Sequence, residues 1–171
     1  PQAGMIVGRA DLIKRVAKNP LKRALRLDKA TLAALAATLQ LYDDPDSVAE
    51  QLPSIRLLAR KVDDIRQTAN RMADALRPLV AQWAVQVEGC ASQIGSGALP
   101  VDMLPSAAVT MTVPEAIMRG RGRRLDRLAA AFRALPQPVI GRIAEDRFWL
   151  DCRCLEDEAG FIAQLGELQV P

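Results

Sequence analysis

The sequence predicts an α/β protein in which long helices come first and a small antiparallel α+β unit follows. Three observations carry that expectation. Half of the 171 residues are hydrophobic but only 4% are aromatic, and Ala and Leu dominate, which suits helices packed on a sheet better than an all-β sandwich. Apolar residues recur at helical spacing as far as Leu79. From Trp83 the period drops to two, and Val and Thr become frequent.

Taken in order, Met5 to Val7 is a short apolar run between two glycines and reads as a buried strand. Arg9 to Lys18 sets Leu12, Ile13 and Val16 against Asp11, Lys14, Arg15 and Lys18, as a surface helix does, and Asn19 and Pro20 end it. Positions 19–42 read as one long helix beginning at "NPLKRALRLDK", with Leu25, Leu32, Leu35, Leu39 and Tyr42 in register among alanines. "DDPDS" breaks it. A further helix is expected over Ser54–Leu79, through Ile55, Leu58, Val62, Ile65, Ala69, Met72 and Leu76. "WAVQVEGCASQIG" and "SAAVTMTV" read as strands joined by the turn-like "GSGALP". "RRLDRLAAAFRAL" returns to helix. "PVIGRIAEDRFWLDCRCL" reads as a hairpin turning near Glu145 and Asp146, and "DEAGFIAQLGEL" as a closing helix with acids in its first turn.

Composition narrows the chemistry. A chain of this length can bury about 68–70% of its unfolded surface, so a core is attainable. The net charge of +3 permits contact with RNA or a phosphorylated ligand without arguing for either. No run approaches the roughly 20 apolar residues of a membrane span. Three cysteines make no disulfide framework, and no export leader is visible, so a soluble, cytoplasmic setting is expected. The absence of histidine removes the Ser/His/Asp triad, the Cys/His dyad and the HExxH zinc site. Catalysis by this chain would fall to carboxylate, Lys, Cys, Tyr42 or a borrowed cofactor. A start on Pro1 running almost at once into a strand suggests part of something longer.

Several constellations stand out. Lys22, Arg23, Arg26 and Lys29 crowd the expected start of the long helix, where like charges three or four apart cost about 0.2–0.5 kcal/mol per pair. On that helix Lys22, Arg26 and Lys29 would share a face, and Arg23 would lie one turn from Arg26. Two guanidiniums so placed can fork around one tetrahedral anion, the alternative being a solvated basic face. The basic run at 119–127 could touch RNA phosphates or be an exposed loop, and it contains no aromatic residue to stack on bases. "GSGALP" at 95–100 could hold an anion on backbone amides or be a connector. Cys152 and Cys154, two apart on an expected strand, would share a face, but with Cys90 they match no zinc spacing and read as thiols, so no metal is expected. Arg142 and Arg153 could hold a substrate carboxylate or be ordinary strand arginines.

In order, "PQAGMIVG", "NPLKRALRLDKATLAALAATLQLY", "SQIGSGALPVDMLPSAAVT" and "PQPVIGRIAEDRFWLDCRCLEDE" resemble the C-terminal part of the bacterial selenocysteine synthases, the L-seryl-tRNA(Sec) selenium transferases, over essentially the whole chain. Departures are Asn19 where the family often has His, Ala36 where it often has Glu, and Ala98 in the place of Ser. The resemblance implies a pyridoxal-phosphate enzyme of fold type I, aspartate-aminotransferase-like, which converts seryl-tRNA(Sec) to selenocysteinyl-tRNA(Sec) with selenophosphate.

It further implies that residues 1–42 close the large pyridoxal-binding domain and begin the interdomain helices. Residues 43–171 would form the small C-terminal α+β domain. The Schiff-base lysine is expected upstream of Pro1, so no covalently bound cofactor and no activity are expected of this stretch alone. The family's active-site arginines match Arg23 and Arg26, which would hold the anionic selenium donor. Homo-oligomeric rings of dimers are implied, and no membrane partner. The seryl carboxyl is esterified to tRNA, which leaves Arg142 and Arg153 no free carboxylate to clamp. Two other readings stay open on the residues alone: a non-catalytic α+β RNA-binding or interaction module, and part of another fold type I pyridoxal enzyme that handles sulfur.

Overall fold

The computed structural model describes residues 2–93, 103–114 and 120–170. It divides into two compact units, Pro1–Arg56 and Leu57–Pro171. The first carries helix α1 (Ala10–Ala17), a 3-10 turn at Pro20–Arg23, α2 (Lys29–Gln40), a 3-10 turn at Leu41–Asp43, α3 (Val48–Gln51) and the start of α4 (Pro53–Ala59). None of its described residues is buried, and Ile6, Val7, Leu21 and Leu25 are well over half exposed. Local signals hold these elements: Asn19 Oδ1 accepts from Leu21 N (2.9 Å), and Pro20 follows where a missing N–H costs nothing.

Two sequence expectations fail in this unit. Met5–Val7 forms no strand, since a strand needs a neighbour for its N–H and C=O groups and none pairs with it among the described residues. The single helix expected over 19–42 is also broken, because Asp28 caps a new start. Its Oδ1 accepts from Thr31 N (2.9 Å) and its Oδ2 from the Thr31 hydroxyl (2.6 Å). The helix therefore begins at Lys29, and Arg26 and Leu27 lie in irregular chain before it.

The second unit holds the core. After α4 come α5 (Val62–Leu76), β1 (Ala84–Ser92), β2 (Leu104–Thr112), α6 (Arg121–Arg133), β3 (Arg142–Ala144), β4 (Arg147–Asp151) and α7 (Glu158–Ala163), the last running into a 3-10 turn at Gln164–Glu167. The strands form one antiparallel sheet in the order β1-β2-β4-β3. Val87 stands opposite Val109, and Val109 opposite Leu150, so one sheet face is apolar across three strands. Helix α5 lays Ile65, Ala69, Met72 and Leu76 on this face, and α6 adds Leu125, Leu128 and Phe132. Helix α7 contributes Phe161, with Leu165 just beyond it.

The other face of β2 is buried too, beneath polar side chains. Ser106 donates to Asp151 (2.7 Å), Thr110 donates to Glu88 (2.8 Å), and Glu88 pairs with Arg147. Arg142 lies over the Trp149 ring at 5.0 Å.

The hairpin turns at Glu145 and Asp146, as expected, with φ of 52° and 57°, the left-handed pair that a two-residue turn requires. Neither residue is glycine, and Arg121 holds Asp146 from outside at 3.1 Å. The helix expected over 54–79 is two helices, parted at Arg60 and Lys61. Strand β4 ends at Asp151, so Cys152 and Cys154 are not strand neighbours: Cys152 is buried and Cys154 exposed. One cause explains both differences. Arg60 Nη1 donates to the carbonyls of Cys152 (3.0 Å), Arg153 and Leu155 (3.0 Å). Arg153 Nη1 donates to those of Leu57 (2.9 Å), Leu58 (3.4 Å) and Arg60 (3.4 Å), and its Nη2 to Pro105. Each arginine satisfies the carbonyls that the other's segment leaves open where its helix or strand stops.

Helices α5 and α7 are joined by a further pair. Glu158 takes Arg71 Nε on Oε2 and Nη2 on Oε1, both at 2.7 Å, and the Thr68 hydroxyl on Oε1 at 2.7 Å. The Arg71 hydrogen bonds hold the Glu158 carboxyl down at about 2 against the cost of burial, from an ordinary 4.5. A depressed carboxyl pKa stabilises the fold above the unfolded value, and this contribution is lost as pH falls from about 4.5 towards about 2. Urea unfolding of the chain at pH 7 and at pH 3 is expected to show a drop in midpoint that Glu158→Gln flattens. An equal drop in the variant would place the acid sensitivity elsewhere.

Candidate functional site

The basic cluster follows from the local structure just described. Lys22 and Arg23 close the 3-10 turn, Arg26 lies in irregular chain, and Lys29 is the first residue of α2. The shared helical face expected for Lys22, Arg26 and Lys29 is therefore not formed, nor is the regular one-turn spacing of Arg23 and Arg26. What remains is four exposed cations within eight positions, none with an acid in reach among the described residues. Asp28, the acid inside the run, is occupied by capping. The Thr31 hydroxyl first, and then the Thr31 N–H, lower its carboxyl pKa. The positive charge stays unneutralised and open to an anion.

These residues supply charge but no enclosure. No described residue of the first unit is buried, so no side chains wall off a ring from water. The described residues do not by themselves fit pyridoxal phosphate; what they fit is the anionic part of a ligand.

In the second unit a cavity of about 390 Å³ opens beside Met72, Val139, Leu150 and Phe161, with Asp151, Glu156 and Asp157 on its wall and no lysine or arginine. Its charge has the wrong sign for selenophosphate or a nucleic acid. The thiols do not change this. Burial pushes Cys152 up to about 12, so it stays protonated near neutrality, and no group of metal-ligating side chains gathers among the described residues. No helix among the described residues is long and apolar enough to cross a membrane.

Arg142 and Arg153 resolve differently from the expectation of two strand arginines. Arg142 is on β3 and stacks on Trp149. Arg153 lies in the turn after β4, 2% exposed and turned to backbone carbonyls, so it is not available to a substrate. Its partner Arg60 carried no local signal, since the two segments meet across 93 residues of chain. The stretch at 95–100, read as an anion-holding nest or a plain connector, lies outside the described residues.

Fold and site together define an α/β protein with a small four-stranded antiparallel sheet and an exposed, anion-seeking basic segment. A family model, L-seryl-tRNA selenium transferase, matches residues 1–156. Relatives named L-seryl-tRNA(Sec) selenium transferase include one from Klebsiella pneumoniae (strain 342), 57% identical over 165 residues. Others are from Escherichia fergusonii, 54% over 169 residues, and Shigella flexneri, 55% over 169 residues. Each alignment covers 96% of this chain, and the chain spans 35% of the length of these relatives. The chain belongs to the L-seryl-tRNA selenium transferase family.

Proposed function

We propose that residues 1–171 work as the C-terminal part of an enzyme that converts seryl-tRNA(Sec) to selenocysteinyl-tRNA(Sec) with selenophosphate. The observation that carries this is 57% identity to a transferase of that name over nearly the whole chain. On this reading the parent is a cytoplasmic pyridoxal enzyme of fold type I and a homo-oligomer. Residues 1–42 complete its large domain and 43–171 form its small one. The lysine that carries the cofactor lies outside these residues, and the chain alone is inactive.

Pyridoxal phosphate bound by the whole enzyme supplies the electron sink that lets the seryl hydroxyl depart. The part taken by this chain is electrostatic. Selenium arrives on a phosphate carrier, and Arg23 and Arg26, exposed and without acid partners among the described residues, hold that anion. Arginine suits the task better than Lys22 or Lys29, because its planar fork grips two oxygens at once.

The test is a chimera in which residues 1–171 replace the matching part of the Klebsiella relative, assayed for selenium transfer to seryl-tRNA(Sec). We expect transfer, and Arg23→Gln with Arg26→Gln lowering kcat/KM for selenophosphate at least about tenfold. That is the loss of about 1.5 kcal/mol or more expected for a hydrogen bond to a charged group. Unchanged donor kinetics in the double variant would return the cluster to solvent. An inactive chimera that folds and oligomerises would overturn the assignment to this reaction.

A further inference from the structure

The second unit commits many of its arginines internally. Arg60 and Arg153 hold carbonyls, Arg71 holds Glu158, Arg77 holds Asp74, Arg121 holds Asp146 and Arg147 holds Glu88. Helix α6 gathers three that are not so committed. Arg123, Arg124 and Arg127 stand in its first two turns with no acid or carbonyl in bonding reach among the described residues.

The placement works against the helix. Cations at an N-terminus oppose the helix dipole, and Arg127 faces like charge at both i−3 and i−4. The cap does not offset this, because Gly120 occupies the cap position with φ of 78° and has no side chain to accept the first free N–H groups. Asp126 is the single acid among residues 121–127. Burial of Leu125 and Leu128 fixes the rotation of the helix, leaving Arg123 and Arg127 exposed and Arg124 half-buried. Further along, the groove bounded by Arg127, Ala130, Ala134 and Glu167 carries a carboxylate, which confines the anion-seeking surface to those first turns.

We infer that the first two turns of α6 dock the phosphate backbone of a structured RNA, an inference that rests on the reading of the parent as a tRNA-dependent enzyme. Arg123, Arg124 and Arg127 spread three positive charges over about 6 Å of helix rise, which suits a row of phosphates. The docking is to backbone rather than bases, since the one aromatic residue of α6, Phe132, is fully buried. An acidic protein is the poorer fit: the exposed residues from 120 to 127 are Gly120, Gly122, Arg123, Asp126 and Arg127, which leaves no apolar centre for a protein interface.

The experiment is a fluorescence-anisotropy titration of unacylated tRNA, and of a short RNA duplex, with the chain and with R123Q/R124Q/R127Q across a salt series. The slope of log K against log salt is expected to be shallower by about 2–3 in the triple variant, from about 0.7–0.9 for each phosphate that is no longer neutralised. Affinity at about 100 mM salt falls at least about tenfold, by the same relation. Melting temperature should stay the same or rise, since three repulsive charges leave the helix start. If the triple variant does not fold, R123Q and R127Q singly are each expected to lower the slope by just under one. Equal slopes and affinities for variant and parent overturn the inference. Equal competition by a poly-glutamate peptide also overturns it, assigning the surface to an acidic protein. Failure of the transferase reading is separate, because it is read from donor kinetics in the Arg23 and Arg26 chimera.

Discussion

Arg153→Met is expected to destabilise the chain by on the order of 3 kcal/mol, measured as a lower midpoint in urea with unchanged slope. Two effects oppose each other. Methionine relieves the burial of a charge that has no carboxylate partner among the described residues, and replacement of buried ions by apolar residues is often neutral. Against that stand four carbonyls, of Leu57, Leu58, Arg60 and Pro105, which lose their donor. Leaving a buried acceptor unpaired costs about 1–3 kcal/mol, and these part-buried bonds, those to Leu57 and Pro105 above all, decide the balance. Lysine is expected to rescue little, because one ammonium centre cannot serve acceptors that Arg153 reaches with separate nitrogens. The Arg153 Nε is buried without a partner among the described residues, so the grip depends on the two terminal nitrogens. A midpoint within error of the parent would make the clamp a passenger in a fold held by its core alone.

Phe148→Ala is the second large effect, at about 3–5 kcal/mol by the same measurement. Phe148 is fully buried on β4, opposite Met111 on one side and Ile143 on the other. Its ring meets Phe132 of α6 at 5.3 Å between centroids. It also fills the space over Gly141, where a Cβ would come within 2.5 Å of Cζ and 2.6 Å of the Trp149 carbonyl. That carbonyl is backbone and cannot retreat into a cavity, so Gly141→Ala should not rescue the loss. A double-mutant cycle with Phe132→Ala is expected to return a coupling of about 0.5–1.5 kcal/mol. A Phe148→Ala cost under about 1 kcal/mol would mean that α6 collapses onto β4 or was never firmly packed there.

The elements read most surely from the sequence are those whose determinants lie within a few residues. The period-two run in β1 and β2, the hairpin turn at Glu145 and Asp146, and the apolar spacing of α6 all appear where expected. The start of α2 was equally local: in "DKAT" an Asp stands three residues before a Thr, and that cap outweighs the apolar spacing running through it. The basic cluster was legible as charge but not as geometry, because a helical wheel presumes the helix that Asp28 interrupts.

By itself the sequence determined the family, through long motifs, and the helices, strands and turn whose side chains choose a conformation from their immediate neighbours. Only the tertiary structure decided where α4 parts from α5, where β4 ends, that Met5–Val7 forms no strand, and that Arg153 is structural rather than a ligand for substrate. The physical reason is the same each time. A backbone carbonyl or strand edge is satisfied by whatever the fold brings to it, and for Arg60 and Arg153 that partner arrives from across 93 residues of chain.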